Sequence, residues 1–288
     1  MTSRKVIAIG LDGFELSIAE ALITAGKMPH LARLREIGRT YLLDHGSARE
    51  TGLAWEHFST GKDPDTYARW SAVDFDPATY EARQSPTREM SFAEAIDCPI
   101  VAFDVPYMDL RAARNTRGMA NWGAHDPGVA SHSNPPELAG EIDARFGPYP
   151  ATDYIYGFVW PSVSATEDMA AQMIGAMQKR TDITSWLLKE RLGGWRLAVT
   201  VVAELHSVAE ALWHGFDTSH PLHGHPSAGP ALRGIEGVYV ETDRMIGRLA
   251  EEHPDADIVA FSMHGMGPNK ADLTSMALLP EILYRRRF

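Results

Sequence analysis

The first pattern along the chain is a continuous apolar run, Val6-Ile7-Ala8-Ile9-Gly10, broken at Leu11-Asp12-Gly13. Such a run suits a strand covered on both faces, and it predicts an opening strand. Residues 15–25 read as a helix stopped by Gly26, and a second helix after Pro29 puts Leu31, Leu34 and Ile37 on one face before Gly38 ends it. Leu53, Trp55 and Phe58 predict a short helix within 51–61, with Thr51 at or just before its first turn. Further on, the pattern predicts strands at 101–105, 196–203 and 257–262, and helices at 167–191, 207–213 and 232–252. Residues 115–136, 146–161 and 214–226 are rich in Gly, Pro, Asn and His and read as loops, so 106–165 is expected to form a cap or loop-rich insertion over a pocket.

Strands alternating with helices imply a single α/β domain over residues 1–288, with a mainly parallel central sheet and helices on both faces. Ligands gather at the carboxyl ends of such strands. Asp12, Glu204, His206 and His264 all fall just after predicted strands. Composition narrows the partners. With 44% apolar residues the chain can bury one large core, and its formal net charge of −11 argues against a nucleic-acid surface or an anionic membrane. A small anionic substrate therefore needs local help from a cation or a helix N-terminus. The single cysteine, Cys98, allows no internal disulfide. No apolar stretch reaches membrane-spanning length, and the opening run is too short for a signal peptide, so a cytoplasmic location is expected.

Individually, the polar residues admit two readings each. Asp12 is either the cap of the following helix or a ligand, and Thr51 is either a cap or a hydroxyl set where helix N–H groups hold a phosphoryl or sulfuryl oxygen. His206 and Glu210 are spaced i, i+4, which puts an imidazole and a carboxylate on one helix face, and Glu204 offers a further oxygen ligand. His264 lies in a Gly-punctuated turn directly after a strand, a position that favours function over core packing. His220, His223 and His225 lie in a Pro/Gly loop and receive no role.

Three segments in a shared order resemble the alkaline phosphatase superfamily, in its type I phosphodiesterase and nucleotide pyrophosphatase branch. The first is Val6 to Gly13, followed by Gly26-Lys27-Met28-Pro29-His30-Leu31. The second is Thr51-Gly52-Leu53-Ala54-Trp55, with Thr51 nine residues before the Thr60-Gly61 pair, as the family's nucleophile is. The third is Phe261-Ser262-Met263-His264-Gly265-Met266-Gly267, similar to the family's Ser-Asp-His-Gly segment.

The resemblance implies an alkaline-phosphatase-like α/β fold and a metal-dependent hydrolase of phosphate esters, either diesters or pyrophosphates. Thr51 would be the nucleophile, forming a covalent phospho-enzyme. It implies one or two divalent ions, zinc first and manganese or iron as alternatives, held by Asp12, Thr51, His206, Glu210 and His264, with Glu204 as an additional ligand. Asn121, Trp122, His125 and Asp126 are candidates for the leaving-group pocket. The chain departs from the family at three places. His206 and Glu210 stand where the family has an Asp and a His, Met263 replaces a ligand Asp, and the chain ends at Phe288 before the family's further metal-binding His. These departures keep a catalytically degenerate binding protein open as an alternative, and the likeness of the tetrahedral sulfate anion to phosphate keeps a sulfate-ester hydrolase open.

Overall fold

The computed structural model describes residues 4–46, 51–87, 89–123, 130–154, 162–268 and 282–287. His125 and Asp126 lie outside them. The opening apolar run forms β1 (Lys5–Leu11), followed by α1 (Leu16–Thr24) and α2 (Pro29–Ile37). Next come α3 (Ala54–Thr60), the single turn α4 (Pro64–Tyr67), and an exposed antiparallel hairpin of β2 (Val73–Asp76) and β3 (Glu81–Gln84). The chain continues through β4 (Ile100–Phe103), β5 (Thr116–Ala120), β6 (His132–Asn134), α5 (Leu138–Phe146) and α6 (Val163–Trp186). It then forms β7 (Leu197–Val202), α7 (Glu204–Phe216), α8 (Ala228–Glu252) and β8 (Ala256–Phe261).

Among the described residues six strands form one sheet in the order β6-β5-β4-β7-β1-β8, parallel throughout except for the β5–β6 pair. The mainly parallel α/β architecture is thus as expected. Because side chains alternate along a strand, β1 serves two cores. Ile7, Ile9 and Leu11 join Val101, Phe103, Val202 and the helices α6, α7 and α8 on one face. Ala8 faces the other cluster, where Val199, Val201, Leu53 and Trp55 pack.

Residues 106–165, expected as a cap, instead supply β5, β6 and α5 to the central sheet and its flank within the described residues. β5 reads as a loop because only Met119 and Ala120 are apolar in Thr116-Arg117-Gly118-Met119-Ala120. It pairs nonetheless, since Gly118 has φ +145° and a side chain there would meet the Ala102 carbonyl of the neighbouring strand. The excursion from the sheet that the polarity pattern does not announce is the β2–β3 hairpin.

Beneath the sheet ends, α8 braces the loop after β1. The Glu15 N–H donates to Tyr239 Oη at 2.9 Å, and the Phe14 and Tyr239 rings stack at 5.4 Å. Asp243 on the same helix accepts the N–H groups of His30 and Leu31, satisfying the first turn of α2.

The core also holds a buried ion cluster. The Arg180 guanidinium on α6 donates to both oxygens of Glu204 at 2.9–3.2 Å and to Asp104 Oδ2 at 2.7 Å, and all three side chains are fully buried. Asp104, just past β4, also accepts the N–H groups of Trp122 and Gly123. Breaking such a cluster leaves uncompensated buried charge. Arg180→Met is therefore expected to destabilise the fold by about 3–5 kcal/mol, measured as a lowered midpoint of urea unfolding.

Candidate active site at the carboxyl end of the sheet

β1 lies between β7 and β8, so whatever follows those three strands meets at one end of the sheet. Asp12 ends β1 and is 5% exposed. Its Oδ2 accepts from His206 Nδ1 at 3.3 Å, and its Oδ1 accepts from Trp55 Nε1 at 2.7 Å. His264 Nε2, in the turn after β8, stands 3.3 Å from the same Oδ1. The His206 and His264 rings sit edge to face, with centroids 5.9 Å apart. Gly13 makes this packing possible. It has φ +62°, and a Cβ there would lie 2.9 Å from His206 Cα.

The charges reinforce one another. Burial alone would raise the Asp12 carboxyl, but hydrogen bonds from His206, His264 and Trp55 and the His206 charge hold it well below the usual carboxylate range. Burial pulls His206 down, yet Asp12, through its hydrogen bond and its charge, and Glu210, through its charge, carry it above the ordinary imidazole value. The Asp12 hydrogen bond likewise raises His264. The Nδ1 of His264 faces the Gly265 carbonyl at 3.2 Å. With acceptors opposite both nitrogens, the doubly protonated ring is the form that donates to both.

Thr51 precedes α3. Its hydroxyl oxygen accepts the Leu53 N–H at 3.2 Å and lies 3.0 Å from His57 Nε2. α3 ends at Gly61, whose φ of +67° lets its N–H return to the His57 carbonyl. One short helix thus carries Trp55 onto Asp12 and His57 onto Thr51.

Asp12, His206 and His264 therefore come together, and Glu210 stands exposed one turn beyond His206. Glu204, expected as a ligand, instead turns both carboxylate oxygens to Arg180, because a fully buried carboxylate needs a cation and α6 supplies one. Trp122, expected in a substrate pocket, is 6% exposed and packs in the core against Phe103, Tyr149 and the Arg180 guanidinium. Asn121 is half-buried directly after β5, with φ +55°. Met263 is partly buried against the apolar cluster of Leu53 and Trp55. The sequence pattern marks Trp55 only as an apolar position of the short helix and gives it no site role, and it does not mark His57, six residues past Thr51, at all. Among the described residues, no three His, Cys, Asp or Glu side chains stand preassembled as a metal cage.

Asp12→Asn removes the charge that favours both imidazolium rings. Histidine titrations followed by NMR are expected to shift to lower pH at His206 and His264. Both groups are raised in the folded protein, so the stability they contribute is complete at low pH and is lost as pH rises through their folded values. In the variant that upper loss is smaller.

A family model described as type I phosphodiesterase / nucleotide pyrophosphatase matches residues 6–283. Among solved structures, phosphonoacetate hydrolase from Sinorhizobium meliloti 1021, in complex with phosphonoformate, is similar at 20% identity and a TM-score of 0.52. The match covers 96% of this chain and 63% of that one, so the chain spans less than two thirds of its length. The lipoteichoic acid synthase LtaP from Listeria monocytogenes aligns at 13% identity and a TM-score of 0.44, covering 92% of this chain and 57% of that one. No curated protein matches. At 20% identity the likeness to phosphonoacetate hydrolase concerns the fold alone. The family match has wider reach, since it runs from the first strand to within a few residues of Phe288, and by that extent the chain belongs to the type I phosphodiesterase / nucleotide pyrophosphatase family.

Proposed function

We propose that this protein hydrolyses a phosphate ester, a diester or a pyrophosphate, with Thr51 as nucleophile and a divalent cation held at Asp12, His206 and His264. The observation that carries the reading is the convergence of both imidazoles on the Asp12 carboxylate at the carboxyl end of the sheet. The donor set fits the ion. One carboxylate and two imidazoles suit zinc, with manganese or iron as alternatives, and the 3.3 Å contacts among them are bonds that a cation can replace. Glu210, whose charge helps raise the His206 imidazole, is the carboxylate we assign to a second ion. When bound, such a cation polarises a phosphoryl oxygen and lowers the pKa of a coordinated hydroxyl or water.

The chain's own residues do the rest. Thr51 Oγ releases its proton to solvent and forms a bond to phosphorus as the bond from phosphorus to the leaving oxygen breaks, that oxygen taking up a proton from solvent. Water then attacks the phosphothreonine at phosphorus, breaking its Oγ–P bond, restoring the hydroxyl and releasing the phosphate product. With His206 and His264 as neutral ligands, the positive charge for an anionic ester on this acidic protein would come from the held cation, and a sulfate ester presents the same tetrahedral anion. A second reading, a binding protein that keeps the scaffold without turnover, is favoured by Met263, which puts a thioether among apolar side chains where the family has a ligand carboxylate.

The test is an assay with bis(p-nitrophenyl) phosphate in added zinc or manganese, alongside metal analysis of the purified protein. Thr51→Ala is expected to lower the rate by about 10³-fold or more, and Asp12→Ala to lose the bound metal. Metal-free protein whose activity is unchanged in Thr51→Ala would sink the proposal.

A further inference from the structure

His57 is buried on α3 and belongs to none of the motif positions that identify the family segment. Its two ring nitrogens face different partners. Nδ1 stands 3.1 Å from the Lys62 carbonyl oxygen, and Nε2 stands 3.0 Å from Thr51 Oγ1. A carbonyl only accepts, so Nδ1 must carry a hydrogen. In the neutral ring Nε2 is then a lone pair, and the Thr51 hydroxyl donates to it. The same oxygen accepts the Leu53 N–H at 3.2 Å. The hydrogen and one lone pair of Thr51 are thereby given fixed directions by the start of α3 and by His57 upon it.

The geometry points to His57 as the positioning residue of the nucleophile: an acceptor, locked in one tautomer by the Lys62 carbonyl, that aims the Thr51 hydroxyl oxygen at the substrate phosphorus. This rests on the reading of Thr51 as nucleophile. Its physical basis is that a threonine hydroxyl otherwise rotates about its C–O bond and samples directions from which no attack follows, and misplacement on the ångström scale costs on the order of 10²-fold in rate. A bridge that served only to start α3 would need the contact but not its polarity. Gln places an amide oxygen near the site of Nε2 and keeps an acceptor there, whereas Leu fills the space and removes it.

Three measurements decide it. Long-range ¹H–¹⁵N spectra of the wild type are expected to show His57 as the Nδ1–H tautomer, with an Nε2 signal that moves in Thr51→Val. In the phosphodiester assay, His57→Leu is expected to lower kcat about 10²-fold with KM within about twofold, and His57→Gln to recover most of that loss. Thermal unfolding shows whether each variant is folded, and if His57→Leu is not, His57→Gln and the spectra still decide. The inference is overturned by an Nε2–H tautomer, or by folded His57→Leu with wild-type kcat while Thr51→Ala is inactive, and either result leaves the hydrolase reading standing. Wild-type protein that turns over no ester and forms no phosphothreonine overturns both.

Discussion

A carboxylate cannot be taken out of water alone, and the Asp12 side chain is the point where that constraint organises this molecule. Its donors arrive from three places far apart in sequence: Trp55 on α3, His206 on the first turn of α7, and His264 after β8. They meet because β1 lies between β7 and β8, which sets their following segments on either side of the carboxylate. The sheet order is therefore the device that assembles a site from residues more than 250 positions apart. α8 completes the frame from below, holding the loop after β1 through Tyr239 and the start of α2 through Asp243.

The same rule acts a second time, away from the site. Asp104 and Glu204 also stand just past strand ends, but their partner is Arg180 of α6, and the group is sealed in the core. Two acidic residues at equivalent topological positions thus take opposite roles according to the neighbour each meets. Asp12 faces imidazoles that can gain and lose a proton, and Glu204 faces a guanidinium that never gives one up.

What could be read from the residues follows this division. β1, α1, α7, α8 and β8 were legible because their apolar periodicities are strong, and Asp12, His206 and His264 were legible because each follows such an element. β5 and β6 were not, since a short edge pair with a Gly at its close approach carries little apolar signal. Glu204 misled because its partner lies on another helix, 24 positions earlier, and no local pattern announces a buried ion pair. Trp122 misled for a related reason: a large aromatic in a polar, Gly-rich stretch resembles a pocket wall until the packing of Phe103 and Tyr149 around it is known.

Gly10 has no polar atom in its side chain, no side chain at all, and yet it governs the site. It lies inside β1, and a methyl group there would come within 2.6 Å of the Trp55 ring and 3.1 Å of Val201. The indole that bonds Asp12 occupies the volume that this glycine leaves vacant. A side chain at Gly10 would therefore displace the Trp55 ring, and with it the indole N–H that bonds Asp12. In a lineage of such proteins, drift at this one apolar position would disturb the carboxylate's surroundings while every residue with recognisable chemistry stayed unchanged.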